Sequence, residues 1–283
     1  ILKYMGKKYL IILDVDNTLI DTNYKSTSST IYSTIDQMKS EGHVFLINSN
    51  RSIEDLKQIA KNFGLEKHII GENGCFVYNQ LTGEEKVLVE DEVMIQLSQV
   101  KTLLPQLIKS NFPDAVYKIG DTTDINKHLE SQDIPVDGKN VFILNQYRRF
   151  STSLHSKKVV DGQLKKDLEA VEKLSKLVQE FVNRQQFDLT VKYTDSYGNL
   201  LVFPKDNDKG KAFNYIAKEY PKFIRVVIGD DYLDKPLMNE VDFFLTVNNA
   251  TDEVKEIADY TSPESITKGV EQILLNLDNI IKK

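Results

Sequence analysis

Residues 9–15 read YLIILDV, and this run constrains the fold more than any other stretch of the chain. Large side chains stand at every position from Tyr9 to Leu13 without alternation, as in a strand buried on both faces of a parallel sheet. Such a strand needs helices on both sides of its sheet and parallel neighbours reached by crossover connections. The next segments supply them. STIYSTIDQMKSEG spaces Ile31, Ile35 and Met38 at helical intervals and closes on Gly42. HVFLINS reads as a second strand, and SIEDLKQIAKNFG as a helix with Ser52 at its start, Leu56, Ile59, Ala60 and Phe63 on one face, and Gly64 at its stop. Near the C-terminus KGKAFNYIAKEY, IRVVIGD, DFFLTV, TDEVKEIADY and ITKGVEQILLNL read as helix, strand, strand, helix and helix. This α/β alternation predicts a Rossmann-like, doubly wound parallel sheet.

The middle of the chain follows another pattern. Between 82 and 196 the candidate strands KVLVE, AVYKIG, NVFILNQ, FSTSLHS and FDLTVKY are interrupted by two long helical patterns, roughly 92–111 and 161–184. In the second, Leu164, Leu168, Val171, Leu174, Leu177, Val178 and Phe181 make one apolar stripe, which is a core-facing surface. The expectation is an inserted α+β domain over 82–196, with helices on one face of a mainly antiparallel sheet, and a core formed by 1–81 and 197–283.

Composition narrows the partners. The chain has 283 residues, 41% hydrophobic and 28% charged, with net charge −6 and pI near 5.4. An acidic protein of this kind is not a dedicated binder of nucleic acid or of anionic membranes, so a small-molecule partner is expected. The single Cys75 cannot form an intramolecular disulfide, and no apolar run is long enough to span a bilayer. The opening ILKYMGKKYL carries no signal-peptide pattern, and Met5 lies nearer a native start than Ile1. A cytoplasmic location is the expectation.

Ligands of open α/β sheets bind outside the carboxyl ends of the strands. Asp14 and Asp16, Ser49, and Asp230 with Asp231 all fall at that end of three predicted strands. If the first strand continues through them, Asp14 and Asp16 point the same way, and each raises the other's cost of ionisation. Carboxylates gathered in such a crevice suit a divalent cation, since Mg²⁺ takes a few carboxylates together with phosphate oxygens and water. Asp-Asn-Thr alone would be an ordinary turn. DNDKG lacks the offset glutamate of a calcium loop, and the four histidines show no metal-ligand spacing.

Four segments in order resemble the motifs of the haloacid dehalogenase superfamily: DVDNT, INSNR, DNDKGKAF and IGDDYLDKPLM. By that resemblance Asp14 would be the nucleophile of phosphoryl transfer and Asp16 the general acid/base, with its backbone carbonyl also on Mg²⁺. Ser49 would hold the phosphoryl group and Lys209 would be the third-motif lysine. Asp230 would be a metal ligand with Asp234 as its acidic companion, so that Asp14, Asp16, Asp230 and Asp234 form the implied Mg²⁺ set. Asn50, Arg51, Asn73 and Gly74 would contact substrate.

The chain departs from the family pattern in three places: Leu233 replaces a common Asn, NSNRS replaces the TGR-type second motif, and Asn17 replaces Gly, although Asn tolerates positive φ. The large insertion and VNNATDEVKEIADYTSP resemble the Cof and sugar-phosphatase branch. NSNRSIEDLKQIAKNFGL, GENGCFVYN, GNLLVFPKDNDKGKAF and GDDYLDKPLMNEVDFFLTV look most like mannosyl-3-phosphoglycerate phosphatases. Trehalose- and sucrose-phosphate phosphatases, a phosphomannomutase-type mutase and a non-catalytic ligand-binding relative share the architecture.

One feature of the insertion bears on substrate. From Asp137 to Asp161 there are five Lys/Arg residues and no acid between the two aspartates. If YRRFSTSLHSK is one strand, Arg149, Ser151, Ser153, His155 and Lys157 share a face, so Arg149 and Lys157 are candidate contacts to a second anionic group of a phosphorylated substrate, with an ordinary solvent-facing strand side as the alternative.

Overall fold

The computed structural model describes residues 6–65, 67–122, 137–195, 197–231 and 234–282. In chain order the elements are β1 (Tyr9–Leu13), α1 (Ile31–Ser40), β2 (Val44–Asn48), α2 (Ile53–Phe63), β3 (His68–Gly71), β4 (Phe76–Tyr78) and β5 (Glu85–Val87). Next come α3 (Asp91–Asn111), β6 (Val116–Gly120), β7 (Asn140–Asn145), β8 (Thr152–Val160), β9 (Gln163–Lys166), α4 (Leu168–Gln185), β10 (Leu189–Thr194) and β11 (Asn199–Pro204). The chain ends with α5 (Lys209–Ala217), β12 (Ile224–Ile228), α6 (Lys235–Met238), β13 (Phe243–Thr246), α7 (Asp252–Ile257), β14 (Tyr260–Thr261) and α8 (Ile266–Ile280).

These elements form two compact units, Ile1–Leu88 with Asp208–Lys283, and Val89–Asn207. The first carries an eight-stranded sheet in the order β14-β13-β12-β1-β2-β3-β4-β5. The pairings from β14 to β3 are parallel, while β4 and β5 add an antiparallel edge. The first strand lies between β12 and β2, and every residue from Tyr9 to Leu13 is buried, as its unbroken apolar run requires. Alternate residues serve different layers. Leu10 and Ile12 join Leu46, Ala212, Phe213, Ile216, Val227 and Phe244 in one core cluster, where α5 lies on the sheet. Helices α1 and α8 pack on each other, α1 burying Ile31, Ile35 and Met38, and α8 burying Val270, Ile273, Leu274 and Leu277.

The second unit has the sheet β10-β11-β8-β7-β6, with β9 also paired to β8. Among its described residues the pairing of β6 with β7 is parallel and the others are antiparallel. Helices α3 and α4 cover one face, burying Leu97, Val100, Leu104, Val171, Leu174 and Val178 against Phe142, Leu154, Leu200 and Val202.

Four boundaries differ from the sequence expectations. The strand expected at KVLVE is β5, which pairs with β4 and so belongs to the first unit. Residues 197–207 belong to the second unit, because β11 lies between β8 and β10. The helix expected from 161 begins at Leu168. Asp161 (φ 53) and Gly162 (φ 69) make the turn of a β8–β9 hairpin, and the Asp167 carboxylate caps α4 by accepting from Ala170 N. Finally, β8 begins at Thr152, because Tyr147 N donates to Asn145 Oδ1 in a turn that delays the strand.

Candidate active site

Because β1 has β2 on one side and β12 on the other, the chain leaves the sheet in opposite directions around it, and a crevice opens at the carboxyl ends of these strands. Asp14 directly follows β1, and its amide donates to Ile228 O at 3.0 Å. Ser49 directly follows β2 and donates its amide to Ile70 O at 3.0 Å. Asp230 lies just beyond β12, and Lys209 is the first residue of α5.

The charged groups meet in the interior. Lys209 Nζ donates to Asp14 Oδ1 at 2.5 Å and to Asp234 Oδ1 at 2.6 Å. Asp14, Asp230 and Asp234 each present an oxygen within 4.8 Å of the others. Burial pushes the Asp14 carboxyl well above its ordinary range; Lys209 opposes this, while Asp234 and Asp230 add to it. Asp234 is raised by the same burial, again opposed by Lys209. Burial lifts Asp230 to about 7 against the hydrogen bond from Thr18. Lys209 is held above its ordinary value: burial works against its charge, and the attraction of Asp14 and Asp234 prevails.

Three carboxylates and one ammonium leave an excess of two negative charges when all are ionised. Asp234 Oδ2 is buried with no hydrogen-bond partner among the described residues. An all-oxygen donor set with surplus negative charge and a buried unpaired oxygen fits a hard divalent cation such as Mg²⁺.

Asp16 does not join this cluster. Its carboxylate is gripped by Arg51, Nε on Oδ2 at 2.9 Å and Nη2 on Oδ1 at 2.6 Å. Acids that raise Asp14 include Asp234 and Asp230, which follow β12 far along the chain. Asp16 stands apart for a local reason: β1 ends at Leu13 and Val15 O accepts from the amides of Leu19 and Ile20, so Asp16 already lies in a turn that strand alternation does not govern. Arg51, expected to contact substrate, is here the partner of Asp16.

The remaining candidates fall into two groups. Asn50 sits in the turn after Ser49. Asn73 and Gly74 lie in a short 3₁₀ turn after β3, and Asn73 N donates to Ser49 O at 3.3 Å. Gly74 has φ +86, and a Cβ there would stand 2.1 Å from Asp208 O, so the close approach of this turn to the start of α5 requires glycine. Arg149 and Lys157 belong to the second unit. Arg149 precedes β8 and lies over the Phe150 ring at 4.6 Å, so it does not share a strand face with Lys157. Lys157 is buried and donates to Tyr197 O at 3.0 Å. Leu233 lies outside the described residues.

Two further residues, without a role in the motif resemblance, help to build this centre. Thr18 Oγ1 donates to Asp230 Oδ1 at 2.8 Å, and Asn48 Nδ2 donates to Lys209 O at 3.1 Å. Thr18 stands inside DVDNT and Asn48 immediately before Ser49, so the signal was proximity to a motif.

A family model for haloacid dehalogenase-like hydrolases matches residues 11–274. The chain belongs to the haloacid dehalogenase-like hydrolase family. This hydrolase is 23% identical over 270 residues to a phosphoglycolate phosphatase of Staphylothermus marinus, covering 94% of this chain and 95% of that protein. Its fold is similar to that of a haloacid dehalogenase-like hydrolase from Bacteroides thetaiotaomicron, with TM-score 0.68, 17% identity and coverage of 96% and 100%. A HAD/COF-like hydrolase from Plasmodium vivax superposes with TM-score 0.67 at 18% identity, covering 98% of each chain. The enzyme is a hydrolase of this family. Among the described residues of this haloacid dehalogenase-like hydrolase, no helix is long and apolar enough to cross a membrane.

Proposed function

We propose that this hydrolase is a Mg²⁺-dependent phosphomonoesterase that acts through an aspartyl-phosphate on Asp14. The observation that carries the reading is the Lys209 ammonium, 2.5 Å from Asp14 Oδ1 and 2.6 Å from Asp234, in a pocket that also gathers Asp230. A carboxylate attacking the phosphorus of a dianion needs fixed positive charge beside it; a unit charge at 4 Å is worth about 4 kcal/mol at an effective dielectric of 20. Lys209 supplies one such charge and fixes the attacking oxygen. Asp14, Asp230 and Asp234 would hold Mg²⁺, which when bound would neutralise phosphoryl oxygens and their charge. Ser49, at the end of β2, would hold a phosphoryl oxygen by its hydroxyl. Asp16 would give a proton to the leaving oxygen and later take one from the attacking water, so that one carboxyl serves both displacements.

The substrate class in this reading is a phosphorylated sugar or sugar derivative, with mannosyl-3-phosphoglycerate the first to test and phosphoglycolate beside it, in the cytoplasm. The first unit carries the chemistry in this reading, since Asp14, Asp16, Ser49, Lys209, Asp230 and Asp234 all belong to it. A panel of phosphate esters assayed with Mg²⁺ and with EDTA tests the whole reading. Metal-dependent release of phosphate that vanishes in Asp14→Asn is expected; release by Asp14→Asn at the wild-type rate would overturn it.

A further inference from the structure

The pairing of Arg51 with Asp16 sets a condition on the proposed chemistry. A guanidinium is charged at every accessible pH and is costly to bury without an anion. The Arg51 side chain is 11% exposed and is paired with the Asp16 carboxylate, 27% exposed, with Asp55 a further acid acting on it. The match is a two-pronged one, with Nε and Nη2 each on a different carboxylate oxygen. Tyr24 lies against the guanidinium at 4.6 Å from its ring centroid. The backbone anchors Arg51 to the turn that carries Ser49: its amide donates to Ser49 Oγ at 3.3 Å, and its carbonyl accepts from Glu72 N at 3.0 Å.

A carboxyl that is to protonate a leaving oxygen must carry the proton on one oxygen and aim it at the substrate. In the observed pair both Asp16 oxygens accept from guanidinium N–H groups, an arrangement made for the ionised form. The fork must therefore open before the acid step. What opens it has to satisfy the buried guanidinium in turn, and a phosphoryl dianion offers two oxygens to the same planar fork with more charge than a carboxylate.

We propose that Arg51 is a phosphate-binding group that Asp16 occupies when no anion is bound, so that an incoming phosphoryl group displaces the carboxylate and thereby frees it. Resting on the phosphatase reading above, this makes Arg51 both a ligand of the transferred group and the positioning residue of Asp16. It also makes proton donation conditional on a phosphate being in place.

A double-mutant cycle on the affinity for inorganic phosphate tests this, by calorimetric titration of the full chain with Mg²⁺ present. Asp16→Asn turns one arm of the carboxylate into a donor facing donors, so phosphate should bind about tenfold tighter or more. Arg51→Ala should weaken phosphate binding, and in that background Asp16→Asn should bring almost no tightening. Equal tightening in both backgrounds would mean that Asp16 only repels the anion through space, which overturns the proposal. Unchanged phosphate affinity in Arg51→Ala would overturn it too, since the guanidinium would then be a brace for the loop alone. Arg51→Lys keeps the charge and loses the fork; it should retain phosphate binding but show a smaller response to Asp16→Asn, and it carries the cycle if Arg51→Ala melts below the assay temperature. An undiminished response in Arg51→Lys would overturn the proposal. Wild-type protein that binds no phosphate would overturn the phosphoryl-site reading as well, whereas phosphate binding without coupling overturns this inference alone.

Discussion

Lys209 is the residue on which the electrostatics of the centre turn. It is buried, and it is the cation bonded to both Asp14 and Asp234. Removing one member of such a group leaves uncompensated buried charge, at a cost of about 3–5 kcal/mol. Lys209→Met should therefore lower the melting temperature strongly in EDTA, recover part of the loss in Mg²⁺, and show no turnover; a melt insensitive to Mg²⁺ would count against the three aspartates as the cation's ligands. Thr18 offers a milder perturbation. Its hydroxyl donates to Asp230 Oδ1 at 2.8 Å, and Thr18→Val keeps the shape while losing the donor. Outer partners of metal ligands typically contribute about tenfold or more in metal affinity. The Mg²⁺ concentration for half-maximal activity should rise by about that factor while the fold persists, as an Mg²⁺ titration of activity and a melt would read.

At the scale of elements, the centre depends on how the start of α5 is held. Asp208 caps this helix by accepting from Lys211 N at 2.8 Å, and Asn48 grips the Lys209 carbonyl. The 3₁₀ turn at Glu72–Gly74 lies against the same point, with Gly74 at a positive φ and no room for a Cβ beside Asp208 O. Gly74→Ala meets both the backbone strain and the overlap, so it should destabilise by more than the ~1 kcal/mol expected of Asp208→Ala, which loses only a cap. Because the displaced element carries Lys209, Gly74→Ala should also lower kcat more than Asp208→Ala does. Denaturant melts and steady-state rates on the two variants compare them directly.

For the whole molecule, each unit carries a buried histidine that folding holds neutral. Burial, with a lesser push from Lys67, lowers His68 in the first unit to about 4, where its Nε2 lies 2.9 Å from Tyr220 Oη. Burial, with Lys157 and Arg148 adding to it, lowers His155 in the second unit to about 3. In the unfolded chain both would take up protons near 6.5. Between 6.5 and the folded values the unfolded state binds more protons, so stability rises with pH in that window and is lost as pH falls through it. The raised carboxyls of Asp14, Asp230 and Asp234 act in the opposite sense in the first unit, so the effect is read on the second: its calorimetric transition should fall in temperature from pH 7 to 6 to 5. His155→Gln should flatten that dependence for the unfolding of the second unit while leaving the contribution of His68 in place. A His155→Gln protein whose second-unit transition keeps the wild-type pH dependence would show that His155 is not held neutral.

The sequence alone determined what short-range patterns encode. The unbroken run at Tyr9–Leu13 could only be an interior parallel strand, and Gly64 at φ 66 ends α2 because the left-handed turn there suits glycine. The motif residues were legible because polar groups at the ends of apolar runs have no place in the core except at a site. Partners brought together by the sheet order were not legible. Thr18 meets Asp230 across 212 residues, and Arg51 takes Asp16 from 35 residues away. Local alternation had placed Asp14 and Asp16 on one strand face, but the strand ends at Leu13 and Arg51 takes the Asp16 carboxylate. Domain limits were missed for the same reason: whether 197–207 joins one unit or the other depends on β11 entering between β8 and β10, a choice of sheet neighbour that no short stretch of sequence contains. Side-chain period and turn chemistry are properties of a few adjacent residues, whereas charge pairing and strand order are settled by contacts that exist only once the chain has closed on itself.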